Sequence, residues 1–301
     1  MHSLRTPFML RFTLSRHALA SGGPPCYITD KRRDRGMPRI MEEESLDTLA
    51  DRVAELIVGA KRVVVFTGAG ISTESGIPDF RSPGGIWERF DPDDFTYQRF
   101  VRRPETRRIW WQLFRERGLS SGIKPNPAHY AIRELEQMGK LDAVITQNID
   151  NLHQRAGVPD EKVFELHGNI QWTVCLGCGR RYHFEQIMGK LDRGEEVPDC
   201  ESCGGILKPG IVFFGEALPE EVFREAGCRA SRADLLLVIG STLIVYPAAE
   251  IPLEALNSGA KLVIINLGPT PLDDRAAVLI KASAGETMTK VIERLRARIR
   301  D

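Results

Sequence analysis

The chain has 301 residues, 42% of them hydrophobic, and its 41 basic side chains are matched by 41 acidic ones. That length suits one large domain or a domain carrying an insert, and zero net charge removes any global field drawing the chain to nucleic acid or a membrane surface. No apolar run nears the roughly 18 residues of a membrane span, and four of the six cysteines form two CxxC pairs, which suggests metal in a reducing compartment before a disulfide framework.

The first forty residues carry eight basic side chains against Asp30 and Asp34, with Gly22-Gly23-Pro24-Pro25 among them. Such a segment buries little, so 1–44 is expected to be a disordered leader or an over-long start, with Met37 or Met41 the true beginning. Arg11 and Arg16 interrupt the apolar stretch that a secretory signal needs, and a basic organellar address stays open. Organised structure begins near Ser45. Leu46, Leu49, Ala50, Val53, Leu56 and Ile57 recur at helical spacing, which predicts an amphipathic helix over Ser45 to Ala60.

Arg62 to Phe66 is a β-branched run that stops at glycines, as a buried parallel strand does at a ligand-binding turn. Gly68 and Gly70 let a backbone approach a pyrophosphate, and a helix opening after them would aim unpaired N–H groups at that charge. The next glycine is Gly76, so the spacing departs from a dehydrogenase fingerprint, and a plain tight turn explains GxG equally well. The loop from Ser75 to Trp87 embeds Asp79, Phe80 and Arg81 among prolines and glycines, residues that a mere connection does not need.

A helix is predicted over Pro104 to Arg117, its arginines on a solvated face, and another from Asn126-Pro127 to Met138 with Asn126 as N-cap. Leu141 to Ile145 is a second buried strand, running into Thr146-Gln147-Asn148-Ile149-Asp150. One such polar residue would cap a helix; several together at a strand's carboxyl end suggest a site. Val163 to Leu166 is a short strand ending at His167. A lone histidine is more often structural, and His129, His153 and His183 are read so, but a neutral imidazole is well suited to take a proton near pH 7.

Cys175-x-x-Cys178 and Cys200-x-x-Cys203 are separated by 21 residues, and each pair can present two thiolates to one tetrahedral ion. Gln171 to Pro209 is therefore expected to be a zinc module whose four positions are all filled by protein, a structural Zn2+ site; Cys26 and Cys228 stand alone. Ile211 to Phe214 is expected to return to the main sheet. Strands at Asp234–Ile239 and Lys261–Ile265 then alternate with helices at Pro247–Asn257 and Gly285–Arg298. Gly240-Ser241-Thr242 and Asn266-Leu267-Gly268, small or hydrogen-bonding residues at strand ends, suit the adenosine half of a dinucleotide, although dehydrogenases place an acid where Asn266 stands. The alternation predicts an α/β fold, a doubly wound parallel (Rossmann-like) sheet built from 45–82, 126–170 and 210–301. A helical excursion at 83–125 and the inserted zinc-binding module would form a smaller lobe.

GAGISTESGIPDFR, TQNIDNLHQRAG, ELHG, VFFGE, GSTLIVYPA and INLG resemble, in family order, the motifs of the sirtuins, NAD-dependent protein deacylases, here of bacterial or archaeal type. The resemblance covers Leu46 to Arg298. It implies NAD+ as a consumed co-substrate, its pyrophosphate on Gly68, Ala69, Gly70 and Thr73, with Asp79, Phe80, Arg81 and Trp87 from the loop. Gln147, Asn148, Ile149 and Asp150 would line the nicotinamide and ribose pocket, and Gly240, Ser241, Thr242, Asn266, Leu267, Gly268 and Ala284 the adenosine side. By the same resemblance His167 is the catalytic base toward the ribose hydroxyls, Asn148 holds the ribose and a water, and Asp150 accepts from the nicotinamide carboxamide. Phe80 shields the cationic ribose carbon from water.

Val212, Phe213, Phe214, Gly215 and Glu216 would pair with an acylated-lysine protein substrate, exposed Phe213 and Phe214 forming a tunnel for the lysine stem. The products implied are deacylated lysine, nicotinamide and O-acyl-ADP-ribose. Sirtuins that remove acidic acyl groups carry Tyr-x-x-Arg on the helix after the cofactor loop; Thr106 to Arg117 has no tyrosine, so acetyl is expected first, with Arg115 or Arg117 left as a possible carboxylate partner. Protein mono-ADP-ribosylation in the same pocket and a non-enzymatic zinc module are the alternatives. Few basic residues surround the cysteines, so no specific nucleic-acid binding is expected, and the location implied is cytoplasmic.

Overall fold

The computed structural model of the protein describes residues 44–117 and 122–300, without side chains at 116, 117 and 300; the expected leader, Cys26 and the candidate starts lie outside the described residues. Its strands are β1 (Val63–Thr67), β2 (Leu141–Thr146), β3 (Val163–Glu165), β4 (Gly168–Cys175), β5 (Arg181–His183), β6 (Leu207–Ile211), β7 (Leu235–Ile239), β8 (Lys261–Ile265) and β9 (Val278–Ile280). Six of them form one parallel sheet in the order β3-β2-β1-β7-β8-β9.

Both faces of that sheet are covered, which explains its nearly unbroken apolar strands. Val63, Val65, Leu237, Ile239 and Val263 pack with α1 (Leu46–Gly59), α4 (Pro127–Gln137) and α9 (Ala284–Arg300). The alternate residues Val64, Phe66, Leu236, Val238 and Ile264 pack with α7 (Glu220–Ser231) and α8 (Glu250–Asn257). Each such side chain contributes about 1.5–3 kcal/mol on burial, so the register of the central strands is set from both sides. Caps define the helix starts: Ser45 Oγ accepts from Thr48 N–H, and Asn126 Oδ1 accepts from Ala128 N–H with Pro127 at the first helical position.

A third core builds the smaller lobe. Phe95, Phe100 of α2 (Tyr97–Arg102), and Trp110, Trp111 and Phe114 of α3 (Pro104–Arg117) pack with Ile170, Tyr182, Phe184 and Phe213. The antiparallel sheet β5-β4-β6 belongs to this lobe, together with α6 (Phe184–Asp192).

Two expectations are corrected here. Ile211 to Phe214 is not a strand of the main sheet: β6 ends at Ile211 and pairs with β4, and Phe214 makes only an isolated bridge to Thr96. Phe213 is not exposed; it is buried between Phe100 and Trp110, ring centroids 4.9 and 4.6 Å away, and Phe214 alone reaches the surface. Elements α2, α7 and β9 were not foreseen. The first and last are six and three residues long, too short for periodicity to register.

Candidate active site

β1 lies between β2 and β7, and the chain works outward from it in both directions, so the crevice of this sheet opens at the carboxyl ends of these three strands. The loops after β1 and β7 cross there in close contact. Gly70 N–H donates to Gly240 O at 2.8 Å, and a Cβ on Gly68 would stand 2.8 Å from the same oxygen. Gly240 has φ +64°, and a Cβ on it would fall 2.2 Å from Ile71 N. The glycines are thus required by the crossing of two backbones, which accounts for a spacing unlike a dehydrogenase fingerprint. The helix after them is a 3-10 helix, Ala69–Ser75, ended by Gly76 at φ +89°. Thr73 is exposed and its hydroxyl turns back onto Gly70 O, at 3.0 Å.

Ser72, on the buried side of that turn, is the residue that sequence reasoning missed. Its Oγ donates to Asp150 Oδ2 at 2.7 Å and receives Asn148 Nδ2 at 3.1 Å, joining the loops after β1 and β2. The only available signal was its place inside GAGIS; burial selects it over Thr73. Asp150 also accepts Leu152 N–H at 3.0 Å, so it satisfies the first N–H of the short α5 (Leu152–Arg155), whose N-cap is Asn151, as well as lining the pocket. Burial pushes its carboxyl above the ordinary range, against the hydrogen bonds from Leu152 and Ser72.

His167 follows β3. Its Nδ1 is 2.9 Å from Gln147 O, and because a carbonyl only accepts, Nδ1 carries the proton and Nε2 is left basic. Burial lowers its pKa below 6.5, opposed by that bond, so the ring is neutral at pH 7. Gln147 in turn reaches Ser241 Oγ with its Nε2, at 2.8 Å, tying the loops after β2, β3 and β7 together. The turn carrying His167 is clasped by Glu165, whose carboxylate receives Gln154 Nε2 at 2.8 Å and Asn169 Nδ2 at 2.5 Å.

The loop beyond the 3-10 helix is shaped by Asp79, which accepts from Arg81 N–H, Ser82 N–H and Ser82 Oγ. Burial raises its pKa, but those bonds outweigh it and hold the carboxyl below the usual range. Phe80 stacks at 5.2 Å on Trp87, which also meets Phe95 at 4.9 Å and the exposed Phe214 at 6.0 Å. Arg81 is exposed. Val212 N–H donates to His167 O at 2.8 Å, so 212–216 runs directly beside the histidine, while Phe214 exchanges backbone bonds with Phe95 and Tyr97. Gly215, at φ +84°, turns against Gln98, and Glu216 closes the loop on Phe213 N–H and Lys208 Nζ. On the far side, Asn266 Nδ2 binds Gly268 O at 2.8 Å, Leu267 is exposed, and Ala284 is buried at the start of α9. Arg115 is exposed on α3, and the Arg117 side chain lies outside the described residues.

In the smaller lobe the four Sγ atoms of Cys175, Cys178, Cys200 and Cys203 lie within 4.8 Å of one another. Cys175–Cys203 and Cys178–Cys200 are 3.5 and 3.7 Å apart, near the roughly 3.8 Å edge of a tetrahedron with ~2.3 Å zinc–sulfur bonds. Gly177 and Cys178 N–H groups point at Cys175 Sγ, and the Tyr182 hydroxyl holds the Cys200 thiol down to about 6. Against the bond from Gly205 N–H, the crowding of the other thiols pushes Cys203 up to about 12, a mutual repulsion that a cation among four sulfurs relieves. Donors aimed at sulfur favour thiolates, so the residues fit a zinc ion with no position left for a substrate.

A sequence profile of the Sir2 family matches residues 68–247. The NAD-dependent protein deacetylase 1 of Pyrobaculum aerophilum is 47% identical over 247 residues, 82% of this chain and 94% of that protein. The NAD-dependent protein deacylase 2 of Archaeoglobus fulgidus is 44% identical over 247 residues, 81% and 95% of the two chains. A Sir2 structure with a deacetylated p53 peptide and 3'-O-acetyl ADP ribose is 44% identical, superposes with a TM-score of 0.76, and covers 80% of this chain and 96% of its own.

Proposed function

The chain belongs to the Sir2 family, and on that premise we propose that it removes acyl groups, acetyl first, from protein lysines at the expense of NAD+, releasing nicotinamide and O-acyl-ADP-ribose. The observation that carries the reading is the convergence of Ser72, Asn148, Asp150 and a neutral His167 with a free basic nitrogen at the sheet's crevice.

NAD+ supplies a glycosidic bond whose cleavage provides the acyl acceptor. The 68–73 turn and the loops after β7 and β8 hold its phosphates and adenosine, with Gly240, Ser241, Thr242, Asn266, Gly268 and Ala284 on that side. Asp150 and Ser72 orient the carboxamide, while Asn148 fixes the ribose. Phe80 and Trp87 close the pocket against water, which the developing positive charge requires. His167 Nε2 takes the ribose hydroxyl proton, and the Gln147 carbonyl stabilises the imidazolium that results. The peptide runs along 212–216 with Phe214 beside the lysine stem; Phe213 supports it from within the core. The four cysteines hold Zn2+ as a strut and take no part in the chemistry. Among the described residues no helix is long and apolar enough to cross a membrane, and acylated proteins are the substrates.

Nicotinamide release from NAD+ tests the reading. Its multiple-turnover rate should require an acetyl-lysine peptide and fall by about three orders of magnitude in His167→Ala, the middle of the roughly 10²- to 10⁴-fold range for general-base catalysis. Release without peptide, unaffected by the substitution, would refute it, and ADP-ribose left on the protein would identify transfer instead of deacylation.

A further inference from the structure

Behind the cluster of Ser72, Asn148 and Asp150 lie two histidines that the chemistry above does not use. His129, in the first turn of α4, and His153, in α5, are both buried, their ring centroids 5.1 Å apart. Each has one nitrogen committed. Nδ1 of His129 accepts from Asn126 N–H at 3.3 Å, which places the ring's proton on Nε2. Nε2 of His153 is 3.0 Å from Thr67 Oγ1, whose own proton goes to Thr146 Oγ1 at 2.8 Å. Thr67 can then only accept from His153, so that ring also carries its proton on Nε2 and Nδ1 is a bare lone pair. His129 Nε2 and His153 Nδ1 are buried with no partner among the described residues. One is a donor and the other an acceptor, on neighbouring rings.

An N–H···N bond from His129 to His153, direct after a small ring rotation or through one buried water, would satisfy both orphaned atoms together. We propose that these histidines form a hydrogen-bonded positioning pair that joins the two loops of the cofactor pocket. At one end, Asn126 Nδ2 grips the cofactor loop on both sides of Ser72, reaching Ile71 O at 2.7 Å and Ser75 Oγ at 3.0 Å. At the other, the line from His153 through Thr67 and Thr146 ends on Asn148 N–H, at 3.0 Å from Thr146 Oγ1. The pair therefore sets the separation of Ser72 from Asn148 and Asp150 without touching the reacting atoms. Neutral rings in defined tautomers are required, because each bond in the line has one direction.

Only the kinetic readout rests on the deacylase reading; the pairing itself is tested without turnover. Long-range 1H–15N NMR at pH 7 should show both rings as Nε2–H tautomers, with the His129 Nε2 proton slow to exchange. An Nδ1–H tautomer on either ring, or rapid exchange of that proton, overturns the pair. In kinetics, Thr67→Val keeps the shape but removes the hydroxyl, His153→Leu removes both ring nitrogens, and His153→Gln restores an N–H toward Thr67. T67V and H153L should each lower kcat for peptide-dependent nicotinamide release about tenfold, the scale of a sub-ångström misplacement. H153Q should recover most of it, and the double variant T67V/H153L should be no worse than either single. Wild-type kcat in folded T67V, or additive losses in the double variant, overturns the proposal. A wild-type chain without peptide-dependent release refutes the deacylase reading while the NMR result still decides the pair.

Discussion

At His167 two local facts set the chemistry: the carbonyl of Gln147 fixes the tautomer, and burial lowers the pKa. A group whose folded pKa is depressed stays basic to lower pH than a free imidazole. The acid limb of kcat/KM for an acetyl-peptide should therefore have its midpoint below pH 6.5, with activity level from there toward neutrality; a midpoint above 6.5 contradicts this placement of the ring. His167, Asn148 and Asp150 stood out in the sequence because each sits just past an apolar strand, where a parallel sheet presents its loops. Ser72 did not, since Ser72 and Thr73 are equally polar and only the turn of the 3-10 helix decides which one faces Asp150. Phe213 and Phe214 pose the same ambiguity, and packing against Trp110 sends one inward and leaves the other out.

At the scale of elements, the smaller lobe depends on its metal. β4, β5 and β6 make a three-stranded sheet, and one end of it is closed by the four cysteines. The segment after β6 carries Val212 to His167 and Phe214 to Phe95, so disorder in the lobe reaches the peptide site. Chelation of zinc should open the chain to protease between 171 and 209 and abolish peptide-dependent turnover. Most far-UV circular dichroism should be retained, because the six-stranded sheet has cores of its own. Full activity in metal-free protein contradicts this. The cysteine spacing made the metal legible from the sequence alone. It did not show that the flanking residues 168–170 and 210–211 belong to the lobe's sheet, because strand partnership depends on pairing between distant segments, and the short runs Gly168-Asn169-Ile170 and Gly210-Ile211 do not name a partner.

For the whole molecule, the two buried histidines predict how stability follows pH. Burial lowers His129 to about 4, and burial, followed by the neighbouring His129, lowers His153 well below 6.5. Unfolding frees both to bind protons near 6.5, so the unfolded state holds more protons between roughly pH 4 and 6.5 and is favoured there. Their stabilisation is complete above 6.5 and is lost as pH falls toward 4, on the order of 3 kcal/mol from His129 alone. Urea unfolding at pH 7 and 5 should show the drop, and H129N should lessen it; equal stability at both pH values contradicts it. What the sequence by itself determined were the features written in short-range spacing: helices of period 3.6, buried strands broken by glycine, paired cysteines, and loop motifs in family order. Only the tertiary structure decided that Ser72 meets residues 76 and 78 positions away, that Gly240 crosses the turn after β1, and that His129 and His153 share a buried wall. Those relations depend on which faces the sheet brings together, and a face shared by distant segments leaves no periodic trace in either one.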